Sequence, residues 1–128
     1  MDDVSLAVPQ PILESLPEDG ANAGADMQRA VEGIQTRINR AIESADDDAD
    51  ATSAVLDVVE AMQDRFETYD EFVPELRAWG QSPIYAIAWR NLYADLIGQL
   101  YEHDDLGERL ERERGYRIAE DGIRLQDL

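Results

Sequence analysis

Apolar residues recur at helical spacing along much of the chain, and this periodicity predicts an all-α fold. From about Asp26 to about Ser44 they fall in steps of three and four, which is the spacing of one helix face. A second helix is predicted from about Thr52 to about Tyr69, after an aspartate-rich turn. Because that turn is short, the two helices are expected to form an antiparallel hairpin.

Two helix signals follow. The segment beginning at Pro74 should make one or two turns that end at Gly80, since glycine commonly terminates a helix. Ser82 followed by Pro83 is a capping residue and then a proline at the first helical position. The helix predicted over residues 84–101 is apolar almost all round, so it should be the centre of a small bundle and be covered on several sides.

The two ends of the chain depart from this pattern. Residues 1–25 carry prolines and glycines without a helical period, which predicts an extended N-terminal arm. Its apolar side chains suggest that it lies in a groove, either on its own subunit or on a neighbour. A short helix should end at Gly115, and the alternation around Asp121-Gly122 predicts a β-hairpin or extended tail over residues 116–128. The alternative is a strand followed by a helix that starts near Ala119. The bundle domain is thus predicted to span residues 26–115.

The charge of the chain is strongly unbalanced. Its 128 residues include 29 acidic and 11 basic residues, which gives a formal charge of −18, and every basic residue is arginine. Such a chain repels itself at low ionic strength, whereas about 1 M salt shortens the Debye length to about 3 Å. The composition therefore predicts a high-salt setting, in a haloarchaeon or one of its viruses. A hydrophobic content of 44% at helical spacing argues against disorder.

Candidate chemistry is sparse. The chain has no cysteine and one histidine, His103, which excludes disulfides, thiolate catalysis and cysteine-ligated zinc. The aspartates of residues 46–50 lack the glycine turn and distal glutamate of a calcium loop. Glu67 and Asp70 have the spacing of magnesium-binding helix pairs, but 29 acidic residues produce such pairs by chance. The sequence predicts no enzyme activity, no metal site and no cofactor.

The aromatic residues point to packing rather than to ligand binding. Tyr85, Trp89, Tyr93 and Tyr101 lie at helical spacing along the long helix, with Trp79 nearby. Tyrosine and tryptophan are favoured at subunit interfaces because they bury a large area and keep a polar tip. We therefore expect these residues in the core or at an interface between chains.

The predicted partner surface lies at the two ends of the chain. Residues 106–125 contain five acidic residues and five arginines, so this stretch is neutral while the remainder is acidic. On an acidic surface, contact is easiest where acid is not in excess. The predicted partner-binding residues come from this stretch and from the N-terminal arm, and they are Leu6, Val8, Ile12, Leu13, Arg109, Arg112, Arg114, Tyr116, Arg117, Ile118, Ile123, Arg124 and Leu125.

These features predict a non-enzymatic structural or interaction subunit of a larger assembly, such as a virion neck connector or adaptor. Its partners should be proteins, in a homo-oligomer or ring, and neither nucleic acid nor membrane is expected. The acidic, proline-interrupted N-terminus has neither a signal-peptide nor a membrane-span pattern, so we expect the protein in the cytoplasm or within a virion.

An alternative function is DNA binding. A helix followed by the sequence YRIAEDGIRL resembles the recognition helix and wing of winged-helix regulators. That resemblance implies phosphate contacts from the C-terminal arginines. Five acidic residues interleave with those arginines, however, and weaken the attraction to phosphate.

Overall fold

The computed structural model describes residues 3–17 and 21–114, and this part of the chain folds as an all-α bundle. The described residues contain no strand, so the predicted fold class is confirmed. The predicted C-terminal hairpin or tail, residues 116–128, lies outside them. The helices are α1 (Gln10–Ser15), α2 (Ala21–Ser44), α3 (Asp48–Ala78), α4 (Ile84–Glu102) and α5 (Asp104–Arg114).

Helix α3 corrects the sequence interpretation most strongly. The predicted break between Tyr69 and Pro74 is wrong, because α3 runs without interruption for 31 residues and contains Pro74. Proline removes one helical hydrogen bond, but packing holds this turn in place. Val73 is buried, and Asp70 forms an ion pair with Arg90 of α4.

Both ends of α3 are capped by local hydrogen bonds. At its start, the Asp47 carboxylate accepts a hydrogen bond from the backbone N–H of Asp50 at 2.8 Å. At its end, Gly80 adopts a φ of +74°, a conformation that residues with a side chain rarely adopt. This turn lets the N–H groups of Gln81 and Gly80 donate to carbonyls of the last helical turn. The predicted helix end at Gly80 is therefore confirmed.

Helices α2 and α3 form the predicted pair and pack along one face of each. Helix α2 begins at Ala21 rather than at the predicted Asp26. Its buried face consists of Met27, Val31 and Ile38, three of the residues whose spacing predicted the helix. Helix α3 in turn packs most extensively against α4.

Helix α4 is the centre of the bundle. Its buried residues lie around most of the helix, and they are Ala86, Ala88, Arg90, Leu92, Ala94, Leu96, Ile97, Leu100 and Tyr101. Helices α1, α3 and α5 all contact α4, which gives the cover on several sides that the sequence predicted. None of the described helices combines the length and apolarity needed to cross a membrane.

The N-terminal arm lies on its own bundle, with every second side chain turned inward. Val4 and Leu6 are buried, whereas Asp3, Ser5 and Ala7 are exposed. Side-chain amides satisfy its backbone groups in place of a neighbouring strand. Asn39 accepts from the Val4 N–H at 2.8 Å and donates to the Val4 carbonyl at 3.0 Å.

Two further amides hold the arm. Gln35 of α2 accepts from the Leu6 N–H at 2.8 Å. Gln99 of α4 accepts from the Ala7 N–H at 3.1 Å and donates to the Ala7 carbonyl at 2.9 Å. The arm thus bridges α2 and α4 of its own subunit.

The arm also contains a helix, which the sequence interpretation missed. Helix α1 spans Gln10–Ser15, with Pro9 as its N-cap residue and Pro11 in its first turn. Proline is tolerated there because first-turn N–H groups have no helical partner. Leu13 lies beside Gly24 of α2, where an added Cβ atom would be 3.5 Å from a Leu13 methyl group, an ordinary van der Waals distance.

Helix α5 packs closely on the end of α4. Leu106 and Leu110 are fully buried, and the N–H of Gly107 donates to the His103 carbonyl at 2.7 Å. A Cβ atom added to Gly107 would lie 2.1 Å from the Tyr101 carbonyl oxygen. Only glycine fits at this contact.

Replacing Gly107 by alanine is expected to destabilise the protein by about 1–3 kcal/mol, because the α4–α5 backbones must separate. Gly98 of α4 is the matched control, since a Cβ there meets nothing within 4 Å. Gly98→Ala should stabilise the protein by about 0.5–1 kcal/mol through helix propensity. Urea unfolding measures both values, and equal effects would contradict the close α4–α5 contact.

The Asn39→Ala variant should lose about 1–3 kcal/mol of unfolding free energy, because two partly buried backbone groups of Val4 lose their partner. Asn22→Ala on the same helix is the control, since the Asn22 side chain is exposed. Hydrogen exchange should show faster exchange at the Val4 and Leu6 amides in Asn39→Ala only. Unchanged exchange at both amides would contradict the docked arm.

Candidate protein-interaction surface

Acidic residues are unevenly distributed over the helices. Helix α2 is neutral, with Asp26, Glu32 and Glu43 against Arg29, Arg37 and Arg40. Helix α3 holds Arg65 and Arg77 against nine acidic residues, which are Asp48, Asp50, Asp57, Glu60, Asp64, Glu67, Asp70, Glu71 and Glu75. Residues 106–125 are therefore not the only neutral stretch, and α2 could have been recognised as a second one from the sequence.

An aromatic stack joins α3 to α4. The ring of Tyr69 lies 6.2 Å from those of Trp89 and Tyr93, and the planes differ by 16° and 15°. Burial raises the pKa of the Tyr93 hydroxyl, and nearby Tyr69 raises it further while Arg65 lowers it. Tyr93 is therefore uncharged near neutral pH, and the stacked rings pack α3 against α4.

Beyond this stack, three large aromatic side chains are exposed where α3 ends and α4 begins. Phe72, Trp79 and Tyr85 have 40%, 64% and 39% of their surface exposed, and we call them the aromatic tip. Phe72 and Trp79 meet edge to face with ring centres 6.2 Å apart. Exposed aromatic clusters are typical of protein interfaces, because large rigid rings bury much area at small entropic cost.

The relative lengths of the helices explain why the tip is exposed. Helix α3 has 31 residues and α2 has 24. Because the two run antiparallel from a short connection, α3 extends about 10 Å past the start of α2, at 1.5 Å per residue. The last turns of α3 therefore have no α2 beside them.

A partly buried ion pair joins α3 to α4 at Asp70, two residues before Phe72. Arg90 of α4 is 8% exposed and donates to the Asp70 carboxylate of α3 at 3.0 Å. Its Nε also donates to Asn91 at 3.3 Å. Asp70, which with Glu67 has the spacing of a magnesium-binding pair, is therefore already bound to Arg90. Within residues 3–17 and 21–114, no group of three potential metal ligands is found.

The predicted partner residues of the N-terminal arm lie against the bundle. Leu6 is buried in the core, and Val8 and Ile12 pack against it. Leu13 lies close to Gly24 of α2. In this arrangement these side chains cover α2 and α4 rather than present an apolar surface to solvent. Their role in partner binding stays a prediction.

Arg109, predicted to bind a partner, makes contacts within the chain. It forms ion pairs with Asp48 of α3 at 3.1 Å and with Asp105 at 3.0 Å, which link α5 to the start of α3. The hydrogen bond to Asp105 raises the pKa of Arg109. Arg112 is exposed beside Thr52. Outside the described part of the chain lie the side chain of Arg114 and the residues Tyr116, Arg117, Ile118, Ile123, Arg124 and Leu125.

Comparison with known proteins gives a family. A profile described as a family of unknown function, DUF7971, matches residues 1–127. The chain belongs to the DUF7971 family. The searches of curated proteins and of solved structures returned no match.

Sequence reasoning identified this DUF7971 surface only in part. It placed Trp79 and Tyr85 in an aromatic group assigned to the core or to an interface, and it did not single out Phe72. The sequence signal for the exposure of Trp79 was its position directly before Gly80, at the predicted end of the helix. The predicted break near Pro74 hid this signal, because a broken α3 would not extend past the start of α2 and expose these residues.

Replacing Asp70 by alanine should destabilise the protein, because the buried guanidinium of Arg90 loses its carboxylate. The side chain of Asp70 is 34% exposed. We therefore expect a loss of about 1–3 kcal/mol, below the roughly 3–5 kcal/mol for a fully buried pair. The neighbouring Glu71 is exposed, and Glu71→Ala should stay within about 0.5 kcal/mol. Equal losses in chemical denaturation would contradict a structural role for the pair.

Proposed function

We propose that this protein is a non-enzymatic interaction subunit that assembles with copies of itself through the aromatic tip. The observation that carries the proposal is the exposure of Phe72, Trp79 and Tyr85 together, on a chain with a formal charge of −18. A highly hydrophilic surface gains nothing in solubility from three exposed rings. With 40%, 64% and 39% of their surface exposed, the three side chains together can still bury roughly 200–350 Å² in a contact.

The balance of forces at this surface favours assembly in concentrated salt. At low ionic strength, the acidic residues of α3 repel those of another copy. At about 1 M salt the Debye length of about 3 Å removes most of that repulsion, while burial of the aromatic rings still stabilises the contact. Association should therefore strengthen as salt is added.

The tip suits this role better than the N-terminal arm does. The backbone groups of Val4 and Ala7 are paired with Asn39 and Gln99, so releasing the arm breaks bonds before any new contact forms. The part of α3 that carries Phe72 and Trp79 is joined to α4 by the aromatic stack and by the Arg90–Asp70 pair. The tip lies on ordered helices and can bind without reorganisation, which lowers the entropic cost of association.

The proposed setting is a haloarchaeal cell or a virus of one. The support is compositional: arginine is the only basic residue and acidic residues are in large excess. Within such a setting, a small helical bundle that assembles into rings would serve as a structural subunit, for example in a virion neck. No observation favours the winged-helix alternative, because its wing would lie at residues 116–125, outside the described residues.

The aromatic tip can be tested by sedimentation velocity in about 2–3 M KCl, where repulsion between acidic surfaces is screened. Wild-type protein should form oligomers, and Trp79→Ala should weaken association about tenfold or more, as expected for a central aromatic contact. Gln81→Ala, an exposed polar change two residues away, is the matched control. Circular dichroism should show that both variants stay folded.

A wild-type protein that stays monomeric at all concentrations in high salt would overturn the proposed function. Oligomers that Trp79→Ala leaves unchanged would show that assembly uses another surface and would overturn the role of the tip.

A further inference from the structure

We propose that the aromatic tip binds the aromatic tip of a second copy across a two-fold axis, with the ends of the two α3 helices antiparallel. This inference rests on the proposed function and names the surface that the tip meets and the geometry of the contact. Such a contact joins copies in pairs, so any larger assembly needs a further surface besides the tip.

The part of the tip on α3 continues the side of α3 that faces α2. Ala61 and Arg65 of α3 line a crevice together with residues of α2. At about 100° per residue, Phe72, Leu76 and Trp79 lie within about 60° of this same side of the helix. These three residues form an apolar stripe, and the stripe lies where a longer α2 would cover α3.

The start of α2 leaves a step beside this stripe. Helix α2 begins at Ala21, and the last turns of α3 extend about 10 Å past it. The step is one helix deep, because packed helices lie about 8–10 Å apart. A segment that fills it must be about one helix thick and have its own apolar side uncovered. The end of α3 in a second copy meets both conditions, since α2 is missing beside it too.

The step also sets the orientation of the two helices. In an antiparallel pairing, each α3 end fills the step of the other copy and ends beside the start of its α2. In a parallel pairing, both α2 helices would lie between the α3 helices and keep the stripes apart. An antiparallel contact between identical surfaces is a two-fold interface, in which Phe72 of one copy lies opposite Trp79 of the other.

The area of this contact is suited to reversible pairing. The exposed aromatic side chains of two tips can together bury roughly 400–700 Å². Interfaces below about 1,200 Å² are typical of weak and transient complexes. Pairing should therefore depend on protein concentration and on the repulsion between the two acidic subunits.

Glu75 makes the pairing dependent on salt. This exposed residue lies three positions after Phe72 and four before Trp79, on one flank of the stripe. Residues on the same flank of two antiparallel helices face each other, and the two-fold axis passes close to residue 75. Each Glu75 therefore faces the Glu75 of the other copy. The two carboxylates repel at low ionic strength, and salt screens that repulsion.

Single cysteines locate the axis directly, because the chain has no cysteine of its own. The Cα atoms of a disulfide lie about 4–7 Å apart, so Glu75→Cys should form a linked dimer on mild oxidation in about 2–3 M KCl. Glu67→Cys, at another exposed acidic position of α3, is the matched control. Its two copies would lie about 24 Å apart along the helices. Non-reducing gels should show linkage at least about tenfold slower for Glu67→Cys, and adding Trp79→Ala should remove the difference.

A charge exchange gives an independent readout by sedimentation velocity as salt is lowered from about 2 M. Wild-type protein and Glu75→Lys each place like charges at the axis, whereas an equimolar mixture places opposite charges there. The mixture should associate about fivefold more tightly than either protein alone. Glu67→Lys, which changes the net charge equally, should give no such gain when mixed with wild type. Circular dichroism should show that the variants stay folded.

Oligomers that require Trp79, but that link equally at both cysteine positions and gain nothing from mixing with Glu75→Lys, would show that this inference is wrong. In that case the proposed function stands, with the tip meeting a different surface of the second copy. Wild-type protein that stays monomeric in high salt would overturn both proposals.

Discussion

The structure depends on the need to cover α4 on nearly every side. A helix with buried residues around most of its circumference cannot be packed by one partner, so α1, α3 and α5 all contact it. The N-terminal arm contributes by bridging α2 and α4 as an extended segment. Because an isolated extended segment leaves its backbone groups unpaired, Asn39, Gln35 and Gln99 supply the amides that a neighbouring strand would give.

The same constraint explains where the surface is available for contact. Helices α1, α3 and α5 and the arm cover α4, whereas the last turns of α3 extend past the start of α2. The parts of α3 and α4 that carry the exposed aromatic residues are joined by the stack of Tyr69, Trp89 and Tyr93 and by the Arg90–Asp70 pair. The chain carries a formal charge of −18, and the exposed rings stand out against this acidic composition.

The all-α fold, the central position of α4 and the helix end at Gly80 could be predicted, because apolar spacing and glycine act locally. The continuity of α3 through Pro74 could not be predicted, because this part of the helix is joined to α4 by the ion pair between Asp70 and Arg90, which are twenty residues apart in the sequence. The docking of the arm likewise depends on amides that are distant in sequence. Exposure of Phe72 follows from the relative lengths of α2 and α3, and the predicted break in α3 concealed that difference.

The central claim is that Trp79 is buried when copies associate. The most direct measurement is tryptophan fluorescence as the protein concentration is raised in about 2–3 M KCl, with electrostatic repulsion screened. Trp79 is 64% exposed in the single subunit, so its emission should shift to shorter wavelength and become less accessible to a soluble quencher as oligomers form. Oligomers that form without any change in emission or quenching would contradict the account.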